Sequence, residues 1–274
     1  MLRTLKIGSA DWNLWPISTA YETSFPKFKE SGISRLELGI YTPSSELDLR
    51  NRTRVLELAE IHDIEITAAL FSLTPENWPL GAFSNRHSGF LEECEKFLNA
   101  LTEMKVEYAN IWTGADSSQA DPFETSETLR ELDKLSGSYP GVVSIEYKAD
   151  TIFQDGYSLA EKLSGLENLK VLIDTGHAFA LDENIVELIK NLASRELIGA
   201  MHLGDAVSGD SDSDLPCGRV HDFSEIIQVL NEVNFSATAN FDLYGAAIDK
   251  DGPGPISILN ESLSYINKLI GVIA

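Results

Sequence analysis

Eight short apolar runs rich in β-branched and aromatic residues alternate with longer amphipathic segments along this chain, and few architectures accept that rhythm. The runs are Leu5 to Ala10, Arg35 to Ile40, Glu65 to Phe71, Tyr108 to Trp112, Val142 to Tyr147, Val171 to Asp174, Ile198 to Leu203 and Ala237 to Tyr244. Helical periodicity occupies Arg52 to His62, Gly89 to Met104, Glu124 to Leu135, Glu183 to Leu192, Phe223 to Val233 and Ile256 to Leu269. A strand signal returns after roughly 30 to 40 residues, the spacing of βα units in a parallel sheet covered on both faces. Eight such units in about 250 residues predict a single (β/α)8 TIM barrel, with a doubly wound sheet as the alternative. Gly and Pro clusters such as Gly252-Pro253-Gly254-Pro255 fall between units, and no low-complexity linker divides residues 1–274, so one domain is expected.

The formal charge of −22 comes from 21 basic and 43 acidic residues, and it opposes nucleic-acid binding, because each phosphate neutralised needs a Lys or Arg. Most of that charge is read as a solvated surface. The start, Met1-Leu2-Arg3-Thr4-Leu5-Lys6, carries no apolar signal region, and no apolar run approaches the roughly 20 residues that span a bilayer. Two cysteines, Cys94 and Cys217, are too few for a disulfide framework, so a reducing cytoplasm is the expected setting.

A barrel gathers its chemistry at the C-terminal ends of its strands. Four consecutive predicted strands end on polar groups: Glu146 and Lys148 on the fifth, Asp174 and His177 on the sixth, His202 and Asp205 on the seventh, Asp242 on the eighth. Residues two apart in a strand share a face, so Glu146 and Lys148 can both point inward while Ile145 and Tyr147 face the helices. Taken singly, Asp174 reads equally well as a helix N-cap and His177 as a buried histidine bonded to backbone. Asp210-Ser-Asp212-Ser-Asp214 reads as a solvated acidic loop or a cation loop. An EF-hand fails, since Leu215 stands where glycine is needed and His221 where a bidentate Glu belongs.

Aromatic residues Trp12, Phe71 and Trp112 follow or close the first, third and fourth strand regions and are candidates to wall a pocket at the barrel mouth, with plain packing the competing reading. Arg219 and His221 follow the acidic loop closely enough to reach a substrate, or else mark a helix entry capped by Asp222. Glu37 and Lys6 are read as filling polar layers inside the barrel, and His62 and His87 as surface residues.

The set Glu146-x-Lys148, Asp174-x-x-His177, His202-x-x-Asp205-x-x-x-Gly209-Asp210-x-Asp212 and Asp242 resembles the two-metal site of the xylose isomerase-like TIM barrels. Within that family its site motif is most similar to L-rhamnose isomerase and xylose isomerase; the last four strands carry the likeness, the first four only as general pattern. The resemblance implies one divalent ion held by Glu146, Asp174, His202 and Asp242. It implies a second held by His177, Asp210, Asp212 and a ligand shared from Asp174 or His202, with Asp214 merely solvated. His177 would also touch substrate, and Lys148 would bond the O1 of a sugar.

One or two ions are expected, from manganese, cobalt, magnesium and zinc, and mixed imidazole and carboxylate ligands suit manganese or cobalt best. Such a site implies a sugar isomerase interconverting an aldose and a ketose by a metal-assisted hydride shift between C1 and C2. The family also holds ketose epimerases, in which carboxylates of the fifth and eighth strands, here Glu146 and Asp242, act as paired bases; Asp242 is a methylene shorter than their glutamate. A sugar-acid lyase or dehydratase on the same site is a further alternative, the family's DNA repair endonucleases fit the charge poorly, and a non-catalytic sugar-binding barrel would have no use for Lys148. A small sugar is the expected partner, with no nucleic acid and no membrane, and a homo-oligomer is left open.

Overall fold

In a computed structural model that describes residues 5–74, 89–114 and 121–273, eight parallel strands close into a barrel with helices between them. His87 and residues 1–4 of the sequence reading lie outside the described residues. In chain order the strands are β1 (Lys6–Ala10), β2 (Arg35–Ile40), β3 (Glu65–Phe71), β4 (Tyr108–Trp112), β5 (Val142–Glu146), β6 (Leu169–Asp174), β7 (Ile198–Leu203), β8 (Asp205–Val207), β9 (Asp210–Leu215) and β10 (Thr238–Phe241). The barrel runs β1 to β7 in sequence and closes through β10, which pairs with both β7 and β1. Closure removes both sheet edges and excludes the doubly wound alternative.

Strand alternation divides the core into two layers. Outward-facing residues such as Leu36, Ile111, Ile145, Ile173 and Phe241 pack under the helices in one large cluster. Inward-facing Ala10, Leu70, Leu172 and Ala200 form a small apolar plug with Trp12, below the mouth. Phe71 belongs to the outer layer, stacked on Phe90 with ring centroids 5.8 Å apart, because the last residue of β3 points towards the helices.

The chain departs from the sequence reading in several places. A helix at Tyr21–Glu30 carries Pro26 within it, the residue that argues against a helix in a periodicity reading. A short helix, Thr175–Ala180, follows β6 with no intervening loop, since the Asp174 carboxylate caps it by accepting the His177 amide at 3.0 Å. The acidic run is not a loop: β8 and β9 form an antiparallel hairpin standing on the barrel mouth, pairing Asp205 with Leu215 and Val207 with Asp210.

Candidate metal centre and its cavity

Register places the ligands. Asp174 pairs with His202 and His202 with Asn240, so the tips of β6, β7 and β10 lie level across the barrel. Glu146 closes β5, and Asp242 stands one residue beyond β10, its amide donating to the Leu203 carbonyl at 3.1 Å. One ligand atom from each of Glu146, Asp174, His202 and Asp242 falls within 4.8 Å of all the others.

His202 sits at the centre, fully buried. Its Nδ1 lies 3.7 Å from Glu146 Oε1, 3.6 Å from Asp174 Oδ2 and 3.6 Å from Asp242 Oδ2. Those separations are too long for hydrogen bonds, and Nδ1 is a buried atom without a hydrogen-bond partner. They suit ligands sharing one cation at about 2.0–2.2 Å each. The other ring nitrogen is committed: Nε2 lies 2.9 Å from Glu37 Oε2, which fixes Nε2 as the protonated nitrogen and leaves the Nδ1 lone pair facing the carboxylates. The four residues therefore fit a divalent cation.

The charges fit as well. Burial alone would depress the His202 imidazole, but Glu37 and the oxygens of Asp174 and Glu146 raise it well above its ordinary value. Burial pushes the Asp242 carboxyl up to about 6, helped by Asp174 and Glu146 and opposed by His202 and the Trp12 hydrogen bond. Asp174 is held below the usual carboxylate range: burial works against this, and His177, His202 and the cap bond prevail. Crowded carboxylates around one imidazole are what a divalent cation relieves.

The Asp174 carboxylate does two jobs, because one oxygen caps the helix while the other faces the cluster. His177 does not join the cluster. Its Nδ1 donates to the Tyr147 carbonyl at 2.9 Å, which leaves Nε2 for the cavity that His177 lines. Asp212 is exposed and ion-pairs with Lys148 Nζ, and Asp210 is exposed on the hairpin, its carboxylate accepting the Asp212 amide at 3.2 Å. The hairpin thus carries the second-ion candidates Asp210 and Asp212 away from the four-residue cluster. Arg219 also lies elsewhere, forked onto Glu261 by two 2.8 Å bonds, and Phe71 faces the helices.

Trp12 and Trp112 line a cavity of about 520 Å³ that opens from the cluster, together with Trp15, Tyr41 and Tyr244. Trp12 reaches the cluster directly, its indole Nε1 donating to Asp242 Oδ1 at 2.8 Å. Asp214, expected to be solvated, is half-buried and turned inward: its Oδ2 accepts the Gly245 amide at 2.9 Å. Burial, then Asp242 and Asp174, push its carboxyl well above the ordinary value. Asp205 organises the next loop, accepting the Val220 amide at 2.7 Å and the His221 amide at 3.0 Å and bonding the His221 ring at 2.7 Å. Sequence reasoning missed Glu37 as the partner of His202, and Asp214, Trp15 and Tyr244 as cavity walls. Glu37 offered a signal, a carboxylate inside an apolar strand, but not the identity of its partner.

The sequence model of the xylose isomerase-like TIM barrels matches residues 25–268. No curated protein matches the chain. Solved structures share the fold at low identity. They include the apo form of 3-keto-D-glucoside 4-epimerase from E. coli, with 16% identity, a TM-score of 0.75 and coverage of 96% of this chain and 99% of that one. L-ribulose 3-epimerase has 13% identity, a TM-score of 0.77 and coverage of 98% and 95%. D-allulose 3-epimerase from Methylomonas sp. has 11% identity, a TM-score of 0.76 and coverage of 97% and 98%.

Proposed function

The chain belongs to the xylose isomerase-like TIM barrel family, and from that premise we propose that it is a sugar epimerase that depends on one divalent cation and works by proton transfer next to a carbonyl. The observation that carries this reading is the ligand set: three carboxylates converge on His202 Nδ1, while Asp212, needed for a second ion, is spent on Lys148. Glu146, Asp174, His202 and Asp242 would hold the cation, with manganese or cobalt best suited to the donor set. When bound, it polarises the carbonyl and an adjacent hydroxyl and stabilises the negative charge that develops on them.

Glu146 and Asp242 both line the cavity, on either side of His202. One carboxylate takes the proton from the carbon beside the carbonyl, leaving an enediolate; the other, as the acid, returns a proton to the opposite face and inverts the centre. Asp242, whose Oδ2 faces His202, is the second carboxylate of the pair. Trp12 holds its carboxylate in place from Oδ1. His177 Nε2 and Asp214 would read sugar hydroxyls from the walls.

Aldose–ketose isomerisation is the second reading. Lys148, the cationic side chain beside Glu146 in the cavity lining, favours it as a donor to O1. A hydride shift between two ions would also draw His177, Asp210 and Asp212 into the site. Two buried free thiols, Cys94 and Cys217, suit a cytoplasmic setting, and among the described residues no helix is long and apolar enough to cross a membrane.

Turnover of a ketose and aldose panel in D2O with manganese tests the proposal. Epimerisation with one solvent deuterium incorporated at the inverted carbon is expected, abolished in Glu146→Gln. Interconversion of C1 and C2 that retains a substrate-borne deuterium would replace the proposal with the hydride-shift isomerase.

A further inference from the structure

The cavity extends beyond the cation corner along a continuous aromatic wall. Trp12 meets the His202 ring edge-on at 5.8 Å and Trp15 at 6.5 Å. Trp15 in turn meets Tyr41 at 5.4 Å and Tyr244 at 6.4 Å. Backbone space has been cleared for this hub: a Cβ on Gly39 would stand 2.9 Å from the Trp15 ring and 3.0 Å from that of Trp12. Beyond it the wall ends on Tyr244 and Ile248, 37% and 51% exposed, so apolar surface stands open to solvent at the cavity rim.

The lining also carries acidic groups. Asp150, Asp212 and Asp214 line the cavity with Glu146 and Asp242, and the Lys148 ammonium among them is already paired with Asp212. No arginine is among the described lining residues. A phosphorylated or carboxylated sugar would enter a field of its own sign. About 520 Å³ falls within the roughly 300–1,000 Å³ of pockets that bury drug-sized ligands, and the cation corner is only one end of it.

We propose that the cavity takes an uncharged glycoside, the reacting sugar at the cation corner and its substituent ring on Trp15 between Tyr41 and Tyr244. The inference rests on the reading that the cation corner handles a sugar. Aromatic faces stack on the apolar face of a sugar or phenyl ring while the carboxylates accept hydroxyls at its edge. A substituted anomeric oxygen leaves no carbonyl at C1, so exchange between C1 and C2 is closed to this class and proton transfer on it needs an oxo group elsewhere on the sugar ring.

Calorimetric titration of the manganese-loaded protein tests it, using free hexoses, their phenyl glycosides and their 6-phosphates in matched sets. For any hexose that binds, the phenyl glycoside is expected to bind roughly tenfold tighter, as one added aromatic stacking contact gives. Trp15→Ala and Trp15→Phe report the wall: the alanine variant should lose that gain while keeping free-hexose affinity, and the phenylalanine variant should keep most of it. Equal or tighter binding of the free hexose or the 6-phosphate overturns the proposal, as does an absence of binding by every member of the panel. Glycosides that bind tighter through Trp15, while the free ketoses and aldoses exchange no deuterium, would leave the subsite standing and remove the epimerase reading.

Discussion

Glu37 Oε2 lies 2.9 Å from His202 Nε2, both side chains fully buried and each from a strand on a different side of the barrel. Glu37 also accepts from Asn110 at 2.7 Å and Asn240 at 2.9 Å, so three donors converge on its carboxylate. That carboxylate dictates which nitrogen of His202 carries the proton and aims Nδ1 at the three acidic ligands. Replacing Glu37 with Gln keeps its shape but sets an amide N–H against one of those donors. Glu37→Gln should weaken divalent-cation affinity by roughly 10–100-fold with Glu146, Asp174 and Asp242 untouched. Unchanged affinity in a manganese titration would mean that Glu37 only fills the barrel.

Removing the cation should destabilise the whole fold, because Glu146, Asp174 and Asp242 are left to repel one another around a single imidazole. At a free cation concentration a thousand times Kd, binding to the folded chain alone contributes about 4 kcal/mol. For a domain of this size each kcal/mol moves Tm by about 2–4 °C. EDTA should therefore lower Tm by roughly 8–16 °C relative to the manganese-loaded protein. Superimposable melting curves would show that the cluster binds nothing.

The strand rhythm made the barrel legible, and the barrel rule made the mouth legible. Glu146, Asp174, His202 and Asp242 are recognisable because each stands at or beside the C-terminal end of a strand, and β-strand register then brings them level. Side chains on the hairpin had no such rule. In Asp210-Ser-Asp212-Ser-Asp214 the two-residue period of β9 is carried by polar residues on both faces, so composition could not tell which carboxylate turns inward. Asp214 is fixed by the Gly245 amide, 31 residues away, and Asp212 by Lys148, contacts that exist only once the hairpin has stood up on the mouth. Asp174 shows a different limit: cap and ligand were competing readings of one residue, and its two oxygens satisfy both.

Lys148 and Asp212 should contribute to substrate handling more than to folding. Asp212 has 81% of its side chain exposed, so solvent screens the pair and its removal should cost at most about 1 kcal/mol of stability. Burial works against the Lys148 ammonium, yet Asp212 keeps it raised, so it remains a charged donor at neutral pH. Lys148→Met is expected to leave Tm within about 3 °C while lowering kcat roughly 100-fold, the loss typical of one transition-state donor. Full activity in that variant would remove Lys148 from the site.

Asp11 predicts the pH dependence of stability. Its Oδ1 accepts the Gly39 amide at 2.9 Å, but Oδ2 is buried without a partner, and burial pushes the carboxyl up to about 8. The folded chain then holds this proton more tightly than the unfolded chain, whose Asp titrates near 3.8. Its contribution is complete below about pH 4 and is lost as pH rises through 8, at up to 1.4 kcal/mol for each unit of separation. Asp11→Asn keeps the acceptor for Gly39 and has no proton to lose. Urea unfolding between pH 5 and 9 should show the variant gaining on the parent as pH rises; parallel profiles would count against a protonated Asp11.

Gly245 tests whether the hairpin shapes the cavity independently of the cation. A Cβ there would stand 2.1 Å from the Asp212 carbonyl oxygen and 3.1 Å from Asp214 Oδ2, and the first of these is backbone that cannot rotate aside. Gly245→Ala must push β9 outward and break the amide bond that turns Asp214 into the cavity, at an overpacking cost of roughly 1–3 kcal/mol. The four cation ligands stand on β5, β6, β7 and the end of β10, none of them on the hairpin. Manganese affinity should therefore survive while sugar affinity falls at least tenfold, since both the inward carboxylate and the seat of Tyr244 are displaced. A parallel loss of both would tie the hairpin to the cation after all and return Asp212 to the ligand set, whereas retention of both would mean that the cavity wall yields without consequence for the sugar.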